Sequence, residues 1–171
     1  FDAIALRKYL TGKRLFVQPF IGELSEGIIG NTAPGDLETA LQLTHLYFTQ
    51  PRKDREIFKG HITQAKGSLV NREKEPYSVF ADSVAAILSR YNVRRTGPSA
   101  QKIDQIDLDK AYTIYQERFA DASDFTFTFV GAFDAQKIKP LLETYLGSLP
   151  NLSRIESAKD LGIAPPSGKI D

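Results

Sequence analysis

The sequence lacks cysteine, methionine and tryptophan altogether among its 171 residues. Without cysteine, the chain can form neither disulfides nor thiolate metal sites. It also lacks an excess of charge of either sign, because 22 basic and 21 acidic side chains leave a formal net charge of +1. This balance gives the chain no overall attraction for a polyanion, and we therefore expect no nucleic-acid partner.

Long apolar runs are also missing. No segment approaches the roughly 18–20 apolar residues that a membrane-spanning helix needs, so we expect no membrane span. The remaining composition, 42% hydrophobic and 25% charged, is typical of a globular domain, and the length is enough for one domain with a substantial core. Since the chain has no initiator methionine, we expect Phe1 to be an internal start, and the lack of a signal peptide does not argue against export.

Hydrophobic periodicity predicts a chain of the α+β class. A strand over 14–21, with Leu15, Val17 and Phe20 inward, turns at Gly22 and returns over 24–30. Helical spacing then predicts a short helix over 2–11 and longer helices that begin near residues 36, 54, 77 and 107. The third of these longer helices carries its apolar face on Phe80, Val84, Ile87 and Leu88, and residues 91–105 read as a loop.

A late strand and helix complete the pattern. Phe125, Phe127 and Phe129 alternate with threonines, which is the period of a strand with one buried face. Asp134 can cap a helix that ends at Gly147. After Pro150 the periodicity is lost, so 151–171 is predicted to be a linker toward a following domain. Together these elements predict a mostly antiparallel sheet with helices packed on one face.

Several ordered segments resemble the pitrilysin/insulinase (M16) family of zinc peptidases. They are Leu6-Arg-Lys-Tyr-Leu-Thr-Gly12, Ser25-Glu-Gly27, Asp36-Leu-Glu-Thr39, the stretch 42–52, Glu117-Arg-Phe-Ala-Asp-Ala-Ser123 and the strand–helix close over 124–150. The chain is most similar to the third, non-catalytic domain of a bacterial member. The resemblance implies an M16/LuxS-like metallohydrolase domain over 1–150, incomplete at its N-terminus because the opening strands are missing.

The zinc motif of the family is absent from the sequence. The active M16 domain carries His-x-x-Glu-His on one helix, which places two imidazoles and a carboxylate base on one face. Neither His45 nor His61 is followed by this pattern, and the resemblance places the family's third ligand, a glutamate, near Thr63. We therefore expect no metal ligand and no catalytic residue in this chain. His45 reads as a partly buried histidine with its hydrogen bonds satisfied, and His61 as a surface residue.

The candidate substrate-binding residues are Ser25, Glu26 and Gly27. Glycines around the predicted hairpin are explained by turns that need φ > 0, or by a backbone kept bare so that a peptide can pair with a strand edge. In the M16 family, non-catalytic domains line a closed chamber that holds long substrates. The resemblance therefore implies that this segment contacts peptide.

Function follows from the resemblance in one of two ways. The first is a non-catalytic domain of an M16-like zinc metalloendopeptidase, which closes the chamber and positions peptide or unfolded protein. In this case the partner of the domain is the zinc-bearing N-terminal half of the same protein, and the zinc cofactor lies in that half. The expected location of the protein is periplasmic or otherwise extracytoplasmic. The alternative is a structural scaffold domain of an inactive homologue, similar to processing-peptidase subunits or respiratory core subunits.

Two further patterns allow both a functional and a structural interpretation. The alternating phenylalanines can stack nucleic-acid bases, but the basic and glycine residues that such sheets carry are missing, so core packing is favoured. The stretch 52–75 holds seven basic and four acidic residues. It reads as a solvated helix with ion pairs such as Glu56 with Lys59, and alternatively as a basic wall facing an acidic peptide.

Overall fold

The computed structural model describes residues 2–72, 74–157 and 159–168. The chain divides into two compact units. Unit 1 comprises Phe1–Arg52 and Tyr112–Ile155, and unit 2 comprises Lys53–Ala111 and Glu156–Asp171. The predicted boundary between a domain over 1–150 and a linker over 151–171 stays a prediction.

The helices and strands follow the predicted order closely. In chain order they are α1 (Ala3–Tyr9), β1 (Leu15–Ile21), β2 (Glu26–Thr32), α2 (Leu37–Thr49), α3 (Arg55–Arg72), α4 (Pro76–Leu88), α5 (Ala100–Asp104), α6 (Leu108–Arg118) and α7 (Ala135–Tyr145). Local capping explains where several helices begin. The carboxylate of Asp54 accepts from the N–H groups at the start of α3, and that of Asp134 accepts from Gln136 at the start of α7.

In unit 1, β1 and β2 form the predicted antiparallel hairpin. Leu15 lies opposite Thr32 and Ile21 opposite Glu26. The half-buried positions of β1 are Leu15, Val17 and Pro19, and α2 packs against both strands. The prediction that Phe20 points inward is wrong, because Pro19 occupies the inward position and the strand's alternation places Phe20 on the opposite face.

The core of unit 1 is built from aromatic rings on α2, α6 and the segment that follows α6. Phe48 and Phe119 meet edge to face at 5.2 Å, and Tyr115 stacks on Phe119 at 4.6 Å. Phe125 packs edge to face on Phe48 at 5.0 Å. Leu149 completes the buried cluster. Such pairs add about 0.5–1.5 kcal/mol each beyond the burial of their apolar area, so the ring contacts stabilise the unit in addition to burial.

The late strand predicted over the alternating phenylalanines is not formed. Burial alternates as expected, with Phe125, Phe127 and Phe129 half-buried and the threonines exposed, but the segment has no strand partner among the described residues. The side-chain pattern is therefore that of a strand, while the hydrogen-bonded ladder that defines one is missing. The rings of Phe125 and Phe127 pack in the core instead of being presented for base stacking.

A buried carboxylate ties the end of unit 1 to its core. Asp121 is fully buried, and its oxygens accept hydrogen bonds from the main-chain N–H groups of Leu152, Ser123 and Arg154 at 2.9, 2.9 and 2.7 Å. These donors, that of Leu152 first, hold the pKa of Asp121 well below its usual range against the opposing effect of burial. The chain just after Pro150 is thus held by the Asp121 carboxylate, and the Arg154 guanidinium adds a hydrogen bond to the Glu117 carbonyl at 3.0 Å.

In unit 2, the structure differs from the sequence-based expectation in two places. The predicted loop over 91–105 contains α5, whose first turn is capped by the Ser99 hydroxyl at 3.2 Å from the Lys102 N–H. The expected apolar face of α4 is also largely exposed: Phe80 is 65% and Leu88 54% accessible, whereas Ile87 is half-buried as expected. This helix is apolar on most sides, and Ala81 and Ala86 share its half-buried face with Ile87.

Helix α3 carries its predicted face and its predicted ion pairs. Phe58, Ile62 and Ala65 are half-buried and Leu69 is buried, one turn after another. On the solvent side, the Lys59 ammonium lies 2.7 Å from the Glu56 carboxylate. The interpretation of this charged stretch as a solvated helix is therefore confirmed for this pair. Exposed i,i+3 ion pairs of this kind stabilise a helix by about 0.2–0.5 kcal/mol.

Candidate peptide-binding surface

The structure places Ser25, Glu26 and Gly27 together along the chain but on different sides of the hairpin. The Ser25 carbonyl closes the turn by accepting from the Gly22 N–H at 2.8 Å. The Glu26 carboxylate lies 3.5 Å from the Arg118 guanidinium, and both side chains are largely covered. Since side chains alternate along a strand, Gly27 belongs to the opposite face. Of the three residues, Gly27 therefore lies on the second face, Ser25 is exposed at the turn, and the Glu26 side chain is largely covered.

Gly27 lies in close contact with a neighbouring ring. A Cβ atom at this position would lie 3.0 Å from Cε1 of Phe20, so the ring rests directly over the glycine backbone. Gly30 is similar, because a Cβ there would lie 2.6 Å from the Phe16 carbonyl oxygen. The expected explanation by turns with φ > 0 does not apply to Gly22, Gly27 or Gly30. Close approach across the hairpin replaces it.

The exposed side of the hairpin forms an uncharged apolar surface, which we call the hairpin face. Its apolar members are Phe16, Phe20 and Ile29, which are 44%, 41% and 55% exposed. Gln18, Gly27 and Asn31 share the face by the register of the strands. Leu24 extends it at the turn, where it is almost fully exposed. Apolar surface grouped on one face marks interaction sites more often than singly scattered residues do.

Sequence reasoning missed the hairpin face because it assigned Phe20 to the interior. The signal that would have found it is the alternation of the strand itself: once Leu15 and Val17 point inward, Phe16 and Phe20 lie on the other face. The register then places Ile29, opposite Gln18, on that same face.

The residues present do not fit a zinc site. Nδ1 of His45 lies 2.9 Å from the Tyr145 carbonyl and donates to it, so the predicted partly buried, satisfied histidine is confirmed. His61 is exposed on α3, as predicted, and Thr63 near it uses its hydroxyl to donate to the Lys59 carbonyl. In the part of the chain that the structure describes, no three histidine or acidic residues are grouped so as to hold a metal ion. No helix in that part is long and apolar enough to cross a bilayer.

Three further groups have pKa values that their surroundings shift. Burial raises the pKa of Tyr115, with a further contribution from Tyr47, and the Tyr115 hydroxyl donates to the Tyr47 carbonyl at 2.9 Å. Burial also raises the pKa of Tyr47. The pKa of Glu75 is lowered because its carboxylate accepts from Ser78 at the first turn of α4. These groups cap helices or seal the core, and none lies on the hairpin face.

The chain was compared with known families, known sequences and solved structures. No family model matches the chain. Over 116 residues the chain is 34% identical to a PQQL-like zinc protease of Arabidopsis thaliana, a match that covers 67% of this chain and 12% of that protein. Among solved structures, it is similar to the ferredoxin protease FusC, an M16-type protease crystallised as a mutant in complex with Arabidopsis ferredoxin.

The structural similarity covers nearly all of this chain. The TM-score is 0.70 over 96% of the chain, at 14% sequence identity, and the match spans 18% of the FusC chain. The predicted α+β fold of the M16 type is thereby confirmed. The sequence similarity is to a metallopeptidase, a hydrolase of peptide bonds. In both comparisons, this chain spans less than one fifth of the protein that it matches.

Proposed function

We propose that the chain is a non-catalytic domain from the C-terminal half of an M16-like zinc metalloendopeptidase, where it closes the chamber and positions peptide or unfolded protein. The similarity to a PQQL-like zinc protease and the M16-type fold support the family. The lack of a fitting ligand set among the described residues supports a role other than zinc binding. In this proposal, zinc lies in the N-terminal half of the same polypeptide, and the whole protein is extracytoplasmic.

The hairpin face is the observation that carries the binding role. It is uncharged and apolar, and the Phe20 ring lies against Gly27, which has no side chain to project from the strand. An unfolded peptide exposes apolar side chains, and full burial of one such side chain contributes about 1.5–3 kcal/mol. Two or three contacts of this size give a weak, sequence-tolerant site, which suits an enzyme chamber that accepts many peptides. The exposed Ser25 at the turn adds a polar group beside it.

We expect Ile29→Ser to weaken peptide binding roughly five- to tenfold, because it removes an apolar contact of about 1–1.4 kcal/mol from the hairpin face. The side chain is already more than half exposed, so the fold should tolerate the change. The dissociation constant is measured by titrating labelled unfolded peptides of about 15–20 residues with each variant and following their fluorescence anisotropy.

Ile114→Ser on α6 is the matched control, because Ile114 is similarly exposed at 51% and belongs to neither strand of the hairpin. It should bind like the unchanged chain. If both variants bind peptide equally well, the hairpin face is not the binding surface. An unchanged chain that binds no peptide at all would favour the scaffold function instead.

A further inference from the structure

A cleft in unit 2 lies between α3, α4 and the segment that follows α4. Its volume is about 490 Å³, and ligand-binding clefts usually measure about 300–1,000 Å³. Its apolar walls are formed by Leu69, Val79, Ile87, Tyr91 and Pro98. Val79 and Tyr91 are both exposed, so apolar surface in this cleft is open to a ligand.

The segment that follows α4 is held in place beside the cleft. The ammonium group of Lys102 donates to the main-chain carbonyls of Val93, Thr96 and Gly97 at 3.2, 2.7 and 2.9 Å. The main chain at Gly97 also lies against Asp82, because a Cβ atom there would be 2.5 Å from Cγ of that carboxylate. Binding therefore does not have to order this segment, which favours affinity.

An ion pair lies among the apolar residues of the cleft. Nη2 of Arg72 donates to Oδ1 of Asp82 at 2.6 Å, and both side chains remain partly exposed. Among the residues that the structure describes, none bonds to Oδ2 of Asp82 or to Nη1 and Nε of Arg72, and of these three atoms only Nε is closed off from solvent. Polar groups in partly buried places are normally paired. The ion pair thus leaves Oδ2 as an acceptor and Nη1 as a donor for a ligand.

We propose that this cleft binds one bulky apolar side chain of an unfolded peptide, together with the main-chain N–H and carbonyl of the same residue. The side chain is buried against the apolar walls, the carbonyl accepts from Nη1 of Arg72, and the N–H donates to Oδ2 of Asp82. These neutral groups suit the ion pair, because a carboxylate would be repelled by Asp82 and an ammonium by Arg72. The inference rests on the proposed function, since it takes peptide as the ligand, and it adds a second contact to that of the hairpin face.

Photo-cross-linking on the natural full-length polypeptide tests this inference. The probe is a capped pentapeptide of serine and glycine whose central residue is p-benzoylphenylalanine. We expect it to attach within 79–98, and we expect the same peptide with a central phenylalanine to compete at about a tenfold lower concentration than one with a central alanine. No attachment within 79–98, or equal competition by the two peptides, would overturn the inference. Attachment confined to 16–31 would overturn it while leaving the proposed function standing, whereas a lack of attachment anywhere would contradict both.

A pair of variants adds an independent readout. Ser83 and Ala85 both lie exposed on α4, and of the two it is Ser83 that borders the cleft. Ser83→Phe should therefore fill the cleft and reduce cross-linking within 79–98 by about tenfold or more, and Ala85→Phe should leave it unchanged. Equal cross-linking in the two variants would contradict the proposed site. If Ser83→Phe does not fold, methylation of the central nitrogen of the phenylalanine peptide decides. The methylated peptide should compete about tenfold less well because it cannot donate to Asp82, and equal competition would overturn the inference.

Discussion

Replacing Phe119 with alanine should lower the free energy of unfolding by about 3–5 kcal/mol. The ring is 1% exposed and contacts three other aromatic rings, those of Phe48, Tyr115 and Phe125, with centroids 5.2, 4.6 and 5.7 Å away. Its removal leaves a cavity that these rigid rings cannot close without leaving their own contacts. Urea unfolding followed by circular dichroism measures the change directly.

Phe133→Ala is the control for this experiment, because the same side chain is removed from a position in unit 1 that is about half exposed. It should cost much less than Phe119→Ala. Similar losses from both substitutions would show that the aromatic cluster is not the stabilising core of the unit.

Asp121→Asn should also destabilise the chain strongly, although it preserves the shape of the side chain. The carboxylate accepts from three main-chain donors, and an amide can accept only through its single oxygen. The amide nitrogen would then face an N–H group of Leu152 or Arg154 in a fully buried site. A buried donor without an acceptor is costly, so the thermal unfolding midpoint should fall and the segment after Pro150 should become sensitive to proteases.

The same carboxylate makes stability depend on acid pH. The folded-state pKa of Asp121 lies below its unfolded value of about 3.9, so the unfolded chain takes up a proton first as pH falls. Its stabilising effect is therefore fully present well above pH 4 and is lost progressively below it. Unfolding curves between pH 3 and 7 should show a slope that Asp121→Asn reduces and that the exposed Asp124→Asn leaves in place. An unchanged slope in the first variant would contradict this role.

The sequence predicts much of the fold because its strongest signals are local. The helix caps at Asp54 and Asp134 each depend on residues within one helical turn, and the hairpin joins two strands that are adjacent in the sequence. The alternation of phenylalanines predicts correctly which side chains face the core, yet it cannot supply the neighbour that turns an extended segment into a strand. Pairing is a long-range property, and no strand among the described residues is paired with this segment.

The candidate site shows the same limit. Ser25, Glu26 and Gly27 come from a family resemblance, and that resemblance carries no information about which face each side chain occupies. The hairpin face follows the alternation that begins at Leu15 and Val17, which the assignment of Phe20 to the interior broke. The buried role of Asp121 depends on residues about 30 positions away and leaves no periodic signal in the sequence. The exposed stripe of α4 was assigned to the core for a related reason, because periodicity identifies an apolar face and not what covers it.

The most direct test of a non-catalytic role is zinc content measured together with peptidase activity. Both are to be measured on the natural full-length polypeptide and on the 171-residue chain, purified side by side in zinc-containing buffer. We predict stoichiometric zinc and peptide hydrolysis for the full-length polypeptide, with neither in the 171-residue chain. Stoichiometric zinc bound to the 171-residue chain, or hydrolysis by it, would contradict the proposal, and a full-length polypeptide without zinc or activity would assign the protein to the scaffold class.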